Sequence, residues 1–285
     1  MSDSKKKKIV LITGSTDGIG KLTALKLAGQ NMSVLIHGRD IEKTQNVVRE
    51  VISKSGNQNI KGYTADFSSL EEVRQLADQI LIEYPELNIL INNAGAGYTD
   101  PRYSKEGYEL RFTVNYLAPF LLTNLLLPAL RKGAPARIIN VSSVGQHSIN
   151  FEDIMMEKNF NAVTAYSQSK LALIMFTFDL AEELKTENIT VNSLHPGTYL
   201  NTNMVRRAGI KPWGTPESGA DAVAFLAMSE SLNRTTGKYF NVLTESKALA
   251  QSYDKETRKK LRELSIRLTK LKQDIFLNSD SERLN

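Results

Sequence analysis

Residues 8–20 read KIVLITGSTDGIG, and this stretch decides the fold. Residues 8–13 have the length and apolar composition of a short, fully buried strand. A helix is predicted directly afterwards, because apolar residues recur at helical spacing at Ile19, Leu22, Leu25 and Leu27. A strand, a glycine-rich turn and a helix start together present free backbone amides to a pyrophosphate. The same residues would also form an ordinary strand-to-helix turn, so this stretch alone leaves both interpretations open.

The glycines of the turn are spaced G-x-x-x-G-x-G, which differs from the more common G-x-G-x-x-G fingerprint. We assign Gly14 to the tight turn, Gly18 to close backbone approach to phosphate, and Gly20 to close packing of the helix. The other residues of the turn and helix start are expected to contact a dinucleotide: Ser15, Thr16, Asp17, Ile19 and Lys21.

Strand and helix patterns alternate along the chain without an internal repeat or a low-complexity linker. Further strands are predicted at residues 32–37, 60–64, 89–92, 137–141, 190–194 and 238–242. Intervening helices are predicted to begin near Ile41, Leu70, Glu106, Ala162 and Pro216. This order predicts an α/β, single-domain Rossmann fold, a doubly wound parallel sheet flanked by helices on both faces.

Composition limits the function further. The chain has 285 residues, 41% of them hydrophobic, which suffices for one large domain. No apolar run reaches membrane-spanning length, and no signal peptide precedes the first strand, so a cytoplasmic protein without a membrane span is expected. No cysteine and only three scattered histidines argue against a metal site. The net charge of +5 comes largely from lysines near both ends, without a nucleic-acid reader motif, so nucleic acid is not an expected partner.

Four segments are predicted. Residues 1–7 form a disordered basic N-terminus, residues 8–250 an NAD(P)-binding Rossmann catalytic domain, and residues 276–285 a disordered tail. Residues 251–275 form a basic amphipathic helix, since Leu261, Leu264, Leu268, Leu271 and Ile275 share one face. This helix is expected to pack on its own domain or on a partner subunit of a homo-oligomer, with a membrane surface as the alternative. Glu182 and Glu183 are assigned to a solvated helix face.

Ligands of such sheets bind beyond the carboxyl ends of the strands, so the segments that follow each strand are candidate cofactor contacts. After the second strand, Gly38 stands where an acidic residue would meet a ribose diol, and Arg39 with Lys21 could instead meet a 2′-phosphate. Both cations could also be ordinary surface charges, with Asp40 capping the next helix. The other candidate cofactor contacts are Asp66, Phe67, Asn93, Ala94, Gly95, Pro196, Gly197 and Thr198.

Tyr166 and Lys170 lie four residues apart in a predicted helix, which places a phenol beside an ammonium. A nearby cation favours the phenolate, so Lys170 is expected to lower the pKa of Tyr166 and make it a usable acid near neutral pH. Ser142 and Ser143 follow the fifth strand, and either hydroxyl could hold a carbonyl oxygen or cap the strand end.

With these motifs in chain order, the sequence resembles the single-domain form of the short-chain dehydrogenase/reductase family over about residues 8–245. The residues that carry the resemblance are Thr13, Gly14, Gly18, Gly20, Asp66, Asn92, Asn93, Ala94, Gly95, Asn115, Ser143, Tyr166, Lys170, Pro196 and Gly197. Residues 151–154, 165–172 and 261–265 look like the retinol dehydrogenase and WW-domain oxidoreductase branch.

The resemblance implies an NADP(H)-dependent enzyme of the class EC 1.1.1.- that acts on CH–OH groups. Hydride would pass between nicotinamide C4 and a small-molecule carbonyl or alcohol, with Tyr166 as the general acid or base. Lys170 would hold the nicotinamide ribose and, together with the positive nicotinamide of the oxidised cofactor, lower the pKa of Tyr166. Ser143 would bind the substrate oxygen, and Asn115 would position a water. NADP(H) is expected to be preferred over NAD(H).

An apolar substrate is expected from residues of the predicted covering loops: Tyr98, Ile149, Phe151, Met155, Met156, Phe160, Met204 and Trp213. Several of these could instead pack under their own loops. Trp213 is predicted to lie on a lid over the substrate. Two other functions remain in view, a non-catalytic NADP-binding redox sensor and a scaffold or membrane-peripheral protein that acts through its terminal helix.

Overall fold

The computed structural model describes residues 7–272 and forms one eight-stranded sheet in the order β3-β2-β1-β4-β5-β6-β7-β8. The strands are β1 Ile9–Ile12, β2 Ser33–Gly38, β3 Ile60–Thr64, β4 Ile89–Asn92, β5 Ala136–Val141, β6 Ile189–His195, β7 Lys238–Asn241 and β8 Thr244–Ser246. All neighbouring pairs are parallel except β7 and β8, which are antiparallel. Strand order reverses at β1, which pairs with both β2 and β4, so the segments that follow β1 and β4 lead to helices on opposite faces of the sheet and leave a crevice for a ligand between them.

Helices cover both faces of the sheet, as the sequence predicts. They are α1 Gly18–Gly29, α2 Ile41–Ser55, α3 Leu70–Glu83, α4 Leu110–Phe112, α5 Ala118–Lys132, α6 Ala162–Glu183, α7 Asn203–Arg207, α8 Pro216–Met228 and α9 Lys255–Thr269. One apolar core joins α1, α2 and α8 to the sheet, and a second core joins it to α3, α5 and α6. The predicted doubly wound α/β fold is therefore confirmed.

Two elements differ from the sequence prediction. The helix expected near Glu106 begins at Leu110, because Gly107 takes a positive φ of 79° and the Glu109 carboxylate caps the helix through the amide of Phe112. The last predicted strand ends at Asn241, where Val242 at φ 57° turns the chain into the additional strand β8. Both differences arise from tight turns, which contribute little to apolar periodicity.

The helical run Leu110–Lys132 is apolar and long enough to cross a membrane by composition alone. Here it lies inside the fold, with 83% of its most apolar window buried against the protein. It contains α4, a π-helical turn at Thr113–Leu117 and α5.

Helix α9 packs against this same chain, on α6 and the π-helical turn. Arg258 of α9 is 6% exposed and donates to Glu182, while Arg262 pairs with Glu183. Ser265 and Tyr116 share a hydrogen bond of 2.6 Å. The sequence assigns Glu182 and Glu183 to a solvated face. Glu182 is exposed there despite its ion pair with Arg258, whereas Glu183 is partly buried against Arg262 of α9, so the assignment is wrong for Glu183 only. Ile275, residues 1–6 of the predicted N-terminal segment 1–7, and the predicted tail 276–285 lie outside the described residues.

Candidate active site

A cavity of about 640 Å³ opens at the carboxyl ends of the central strands. Its walls come from the glycine-rich turn, the segments after β2 to β6, and α7. Most of the predicted cofactor contacts line it: Gly14, Thr16, Asp17, Gly18, Ile19, Gly20, Arg39, Asp66, Phe67, Asn93, Ala94, Gly95, Tyr166, Lys170, Pro196, Gly197 and Thr198. Ser15, Lys21 and Asn115 do not.

The glycine-rich turn can take no larger residues at two of its glycines. Gly14 has φ +62°, and a Cβ there would lie 2.6 Å from Ala94 Cα. A Cβ on Gly20 would overlap the side chain of Asn93, whose amide donates to the carbonyl oxygens of Thr13 and Gly14. The turn is thereby held against the segment that follows β4, and its backbone lies open to the cavity. A helix start with such a cradle fits the pyrophosphate of a nicotinamide dinucleotide.

His37, at the end of β2, is a site residue for which sequence reasoning assigned no role. It is 3% exposed, its Nδ1 accepts from the Gly14 amide at 3.1 Å, and its Nε2 lies 3.0 Å from the Ala65 carbonyl oxygen. Its ring stacks on Phe67 with centroids 4.4 Å apart. Burial lowers the pKa of His37 to about 4, so the neutral ring links the glycine-rich turn to β3. A histidine at the end of an otherwise apolar strand was the available signal.

Lys21 does not reach the cavity. Its ammonium forms an ion pair with Glu50 of α2 at 3.1 Å, since Lys21 lies on the side of α1 that faces α2. Asp40 caps α2 by accepting from the Lys43 amide at 2.8 Å, as the alternative interpretation expected. Arg39 lines the cavity, is exposed, and has no ion-pair partner within residues 7–272.

Tyr166, Lys170 and Ser143 meet on one wall of the cavity. Lys170 is 4% exposed, donates to the Val141 carbonyl oxygen at 2.9 Å, and lies 5.7 Å from the centre of the Tyr166 ring. The Ser143 hydroxyl interacts with the Tyr166 phenol. The three side chains come from the end of β5 and from α6, which pack side by side.

The two adjacent serines differ in what their hydroxyls contact. Ser142 Oγ donates to the Lys170 backbone carbonyl at 2.8 Å and so ties β5 to α6. Ser143 Oγ accepts from the Gly145 amide at 3.0 Å and keeps its proton for another partner. Tyr239 of β7 donates to the Ser143 carbonyl oxygen at 3.0 Å, which fixes this residue from behind. The geometry therefore favours Ser143 over Ser142 as the hydroxyl that meets a ligand.

The side chains of Tyr166 and Lys170 were expected to interact so that the pKa of Tyr166 is lowered, and for the protein side chains this expectation is wrong. Burial raises the pKa of Tyr166, the neighbouring Tyr98 raises it further, and the Ser143 hydrogen bond lowers it only partly. Burial also lowers the pKa of Lys170 to about 8. Removal from water disfavours both charged forms, and it is the largest effect on both pKa values.

Asn115 lies in the π-helical turn, below the cavity floor and fully buried. Its Oδ1 accepts from the Ala96 amide at 2.7 Å, and its Nδ2 donates to Ser169 Oγ at 2.9 Å. The side-chain amide thus joins the segment after β4 to α6. The water-positioning role of Asn115 stays a prediction.

Helix α7 crosses the cavity mouth. Asn203 donates to Asp17 of the glycine-rich turn, and Arg207 pairs with Asp100 at 3.0 Å. Met204 lies against Gly97, where an added Cβ would be 2.8 Å from Met204 Cγ. Trp213 was predicted over the substrate, but it is 74% exposed, stacks edge-on against Tyr199 and is absent from the cavity wall.

Of the eight residues predicted to face the substrate, Tyr98 and Met204 line the cavity. Ile149, Phe151 and Met155 join the core beneath their loop, and Phe160 lies under the guanidinium groups of Arg102 and Arg111. Further apolar cavity residues that the prediction omitted are Tyr103, Val144, Tyr199, Leu200, Val205 and Ile210.

The chain is similar to known oxidoreductases in sequence and in fold. The short chain dehydrogenase family model matches residues 8–212. Human retinol dehydrogenase 13 is 36% identical over 282 residues, covering 93% of this chain and 85% of that protein. Human retinol dehydrogenase 11 is 36% identical over 278 residues, covering 94% of this chain and 87% of that protein.

Solved structures are similar over most of the fold. The Pseudomonas aeruginosa RhlG/NADP active-site complex has a TM-score of 0.69 and 30% identity, with 84% of this chain and 95% of that chain covered. A Shigella flexneri short chain dehydrogenase complexed with NADP has a TM-score of 0.67 and 28% identity, with 85% and 99% covered. This chain therefore belongs to the short-chain dehydrogenase/reductase family, and it is an alcohol/carbonyl oxidoreductase that works by hydride transfer.

Proposed function

We propose that this protein is an NADP(H)-dependent oxidoreductase that interconverts an apolar carbonyl compound and its alcohol, with Tyr166 as the proton donor and acceptor. The observation that carries the proposal is that the same cavity is lined by the glycine-rich turn and by Ser143, Tyr166 and Lys170. When bound there, the nicotinamide supplies or accepts hydride at its C4.

Reduction of a carbonyl leaves negative charge on the substrate oxygen, and a proton must reach that atom. The Tyr166 hydroxyl delivers this proton, while Ser143 Oγ donates a hydrogen bond to the same oxygen, which strengthens as its charge grows. Lys170 can exchange a proton near neutral pH, since burial lowers its pKa to about 8. It therefore serves to return a proton to Tyr166, besides holding ribose hydroxyls.

The cofactor preference rests on Gly38 and Arg39. A Cβ on Gly38 would overlap the Thr16 methyl group and lie 2.7 Å from Thr44 Oγ1, so no carboxylate fits at this position to bind a ribose diol. Arg39 follows it on the cavity wall and offers a guanidinium suited to bidentate phosphate binding. These two features favour a 2′-phosphate, and Lys21, paired with Glu50, is not part of that site.

An apolar substrate is supported by the cavity wall near Tyr166, which includes Tyr98, Val144, Tyr199, Met204 and Ile210. The similarity to proteins named retinol dehydrogenase adds a long, apolar primary alcohol or its aldehyde to the substrates worth testing.

The test follows nicotinamide absorbance with NADPH and a panel of aliphatic, aromatic and polyene aldehydes and ketones, and with NADP⁺ and the matching alcohols. Tyr166→Phe should lower kcat on the order of a hundred- to ten-thousandfold while NADPH binding persists, because the ring still packs but carries no proton. Tyr103→Phe is the matched control, since this phenol lines the same cavity and is largely exposed. Equal loss in both variants, or none in Tyr166→Phe, would remove Tyr166 from the chemistry.

A further inference from the structure

We propose that Arg111 is a positioning residue that sets substrate selectivity by fixing the loop 97–101, whose Tyr98 forms the wall beside Tyr166. The proposal rests on the proposed function, because it treats Tyr166 as the residue that meets the substrate. Arg111 itself contacts neither ligand region, since it is 1% exposed and absent from the cavity wall.

The guanidinium of Arg111 has all five of its N–H groups bound. Four bonds go to backbone carbonyl oxygens of the loop: Gly97 at 3.1 Å, Tyr98 at 3.2 Å, Asp100 at 2.6 Å and Pro101 at 3.0 Å. The fifth goes to Glu109 at 2.8 Å, and this carboxylate is also 1% exposed. A lysine ammonium has three N–H donors on a single nitrogen and cannot make these five hydrogen bonds.

The loop needs such a partner because no regular pattern of backbone hydrogen bonds holds its shape. It belongs to no helix or strand, and it includes a glycine and a proline. A buried charge is costly unless it is paired and fully hydrogen-bonded, and Arg111 meets both conditions only with the loop folded inward. The buried guanidinium and the conformation of the loop therefore stabilise each other.

The loop connects this buried residue to the chemistry. The ring of Tyr98 meets the ring of Tyr166 edge-on, with centroids 5.0 Å apart and planes at 73°. Asp100 accepts from the Gly97 amide at 2.6 Å and from Arg207 of α7 at 3.0 Å. A shift of the loop would move the wall beside Tyr166 and the contact with α7 together.

The structure therefore separates two kinds of binding. The glycine-rich turn and Arg39 lie outside loop 97–101, and none of the five hydrogen bonds of Arg111 goes to them. Loss of the Arg111 bonds should change how substrate is held and leave NADPH binding as it is. A general loss of stability would instead weaken substrate binding and NADPH binding alike.

The central experiment is a double-mutant cycle of Arg111→Lys and Tyr98→Ala, scored as kcat/KM for a small and a bulky carbonyl substrate of the wild-type enzyme. Arg111→Lys should lower kcat/KM for the preferred substrate about tenfold or more, since misplacement near the reacting atoms is costly, and should reduce discrimination between the two substrates. After Tyr98→Ala the same lysine change should have little further effect on discrimination, because the wall is already gone. The dissociation constant for NADPH should stay unchanged throughout.

Arg258→Lys is the matched control. Arg258 is likewise a buried arginine that donates to a carboxylate and a backbone carbonyl, but it lies on α9, outside the cavity wall. A second variant, Asp100→Ala, keeps Arg111 and removes both the loop's own bond to Gly97 and the ion pair with Arg207. If Arg111→Lys fails to fold, Asp100→Ala takes its place in the experiment, and it should raise KM for the carbonyl substrate.

A second measurement does not depend on turnover. Amide hydrogen exchange of a peptide spanning residues 96–102 should speed up in Arg111→Lys and in Asp100→Ala but stay slow in Arg258→Lys. Three results would overturn the proposal. They are unchanged exchange of this peptide in Arg111→Lys, additive effects of Arg111→Lys and Tyr98→Ala on selectivity, and a loss of NADPH binding as large as the loss of kcat/KM. Absence of turnover in the wild type would instead count against the proposed function, and the exchange result would still decide whether Arg111 holds the loop.

Discussion

Acidification should destabilise this protein through its buried histidines, and the contribution of His37 can be measured separately. Its Nδ1 accepts from the Gly14 amide, so the ring proton must sit on Nε2, which faces the Ala65 carbonyl oxygen. A second proton would break the bond to Gly14 and place a charge in a fully buried site. Burial accordingly lowers the pKa from 6.5 to about 4.

The direction of the pH effect follows from proton uptake. Between about pH 6.5 and pH 4 the unfolded chain binds a proton at His37 and the folded chain does not, so unfolding is favoured as the pH falls. The contribution of His37 to the free energy of unfolding is fully present above about pH 6.5 and declines as the pH falls through this window. The difference between the two pKa values corresponds to about 3 kcal/mol over the whole window, and about 2 kcal/mol of it by pH 5.

The assay is urea denaturation of the wild type and of His37→Gln at about pH 7.5 and about pH 5. Glutamine keeps an N–H donor for Ala65 and does not titrate, so its free energy of unfolding should fall by about 2 kcal/mol less than that of the wild type. His147→Gln, at an exposed loop histidine, should behave like the wild type. His195, whose pKa burial also lowers to about 4, is present in all three proteins and cancels in the comparison. Parallel pH dependence in the wild type and His37→Gln would refute the reasoning.

Three other predictions concern the cofactor, the terminal helix and the cavity mouth. Arg39→Ala should raise KM for NADPH about ten- to a hundredfold, the equivalent of about 1.5–3 kcal/mol for a charge-assisted bond, and leave KM for NADH nearly unchanged in steady-state kinetics. Arg258→Ala should lower the free energy of unfolding by about 2 kcal/mol in urea denaturation, because it leaves carboxylates of α6 without their buried partner. Lys259→Ala, on the exposed face of α9, should change the free energy of unfolding little in the same assay. Trp213 should fluoresce as a solvent-exposed indole and be quenched by acrylamide equally well with and without a substrate, since it stacks outside the cavity; strong protection by substrate would place it inside.

The sheet and its helices were predictable because their signals are local. Apolar runs predicted seven of the strands, β1 to β7, within about one residue at either end, and helical spacing predicted the helices that begin at Ile41, Leu70, Ala162 and Pro216. The delayed start at Leu110 and the extra strand β8 depend on glycine and turn geometry, which apolar periodicity does not report. The errors therefore fall at the turns.

Site residues were predictable in kind and less so in their contacts. The positions that line the cavity follow strands, as expected of a parallel sheet, and Tyr166 and Lys170 share a helix face. The pKa of Tyr166 moves opposite to the expectation for the tyrosine and lysine side chains, since burial of the phenol is the largest effect on it. Spacing alone indicates proximity, whereas a pKa also depends on how much water reaches the group.

The sequence by itself determined the order of strands and helices, the glycine-rich turn and the identity of the chemical groups, because periodic burial and backbone sterics act over a few residues. The tertiary structure alone decided which of those groups have partners. Lys21 is bound by Glu50 on another helix, His37 is fixed between Gly14 and Ala65, and Arg111 is enclosed by the loop 97–101. The physical reason is that ion pairing, burial and pKa depend on distances between segments far apart in the chain, and packing sets those distances.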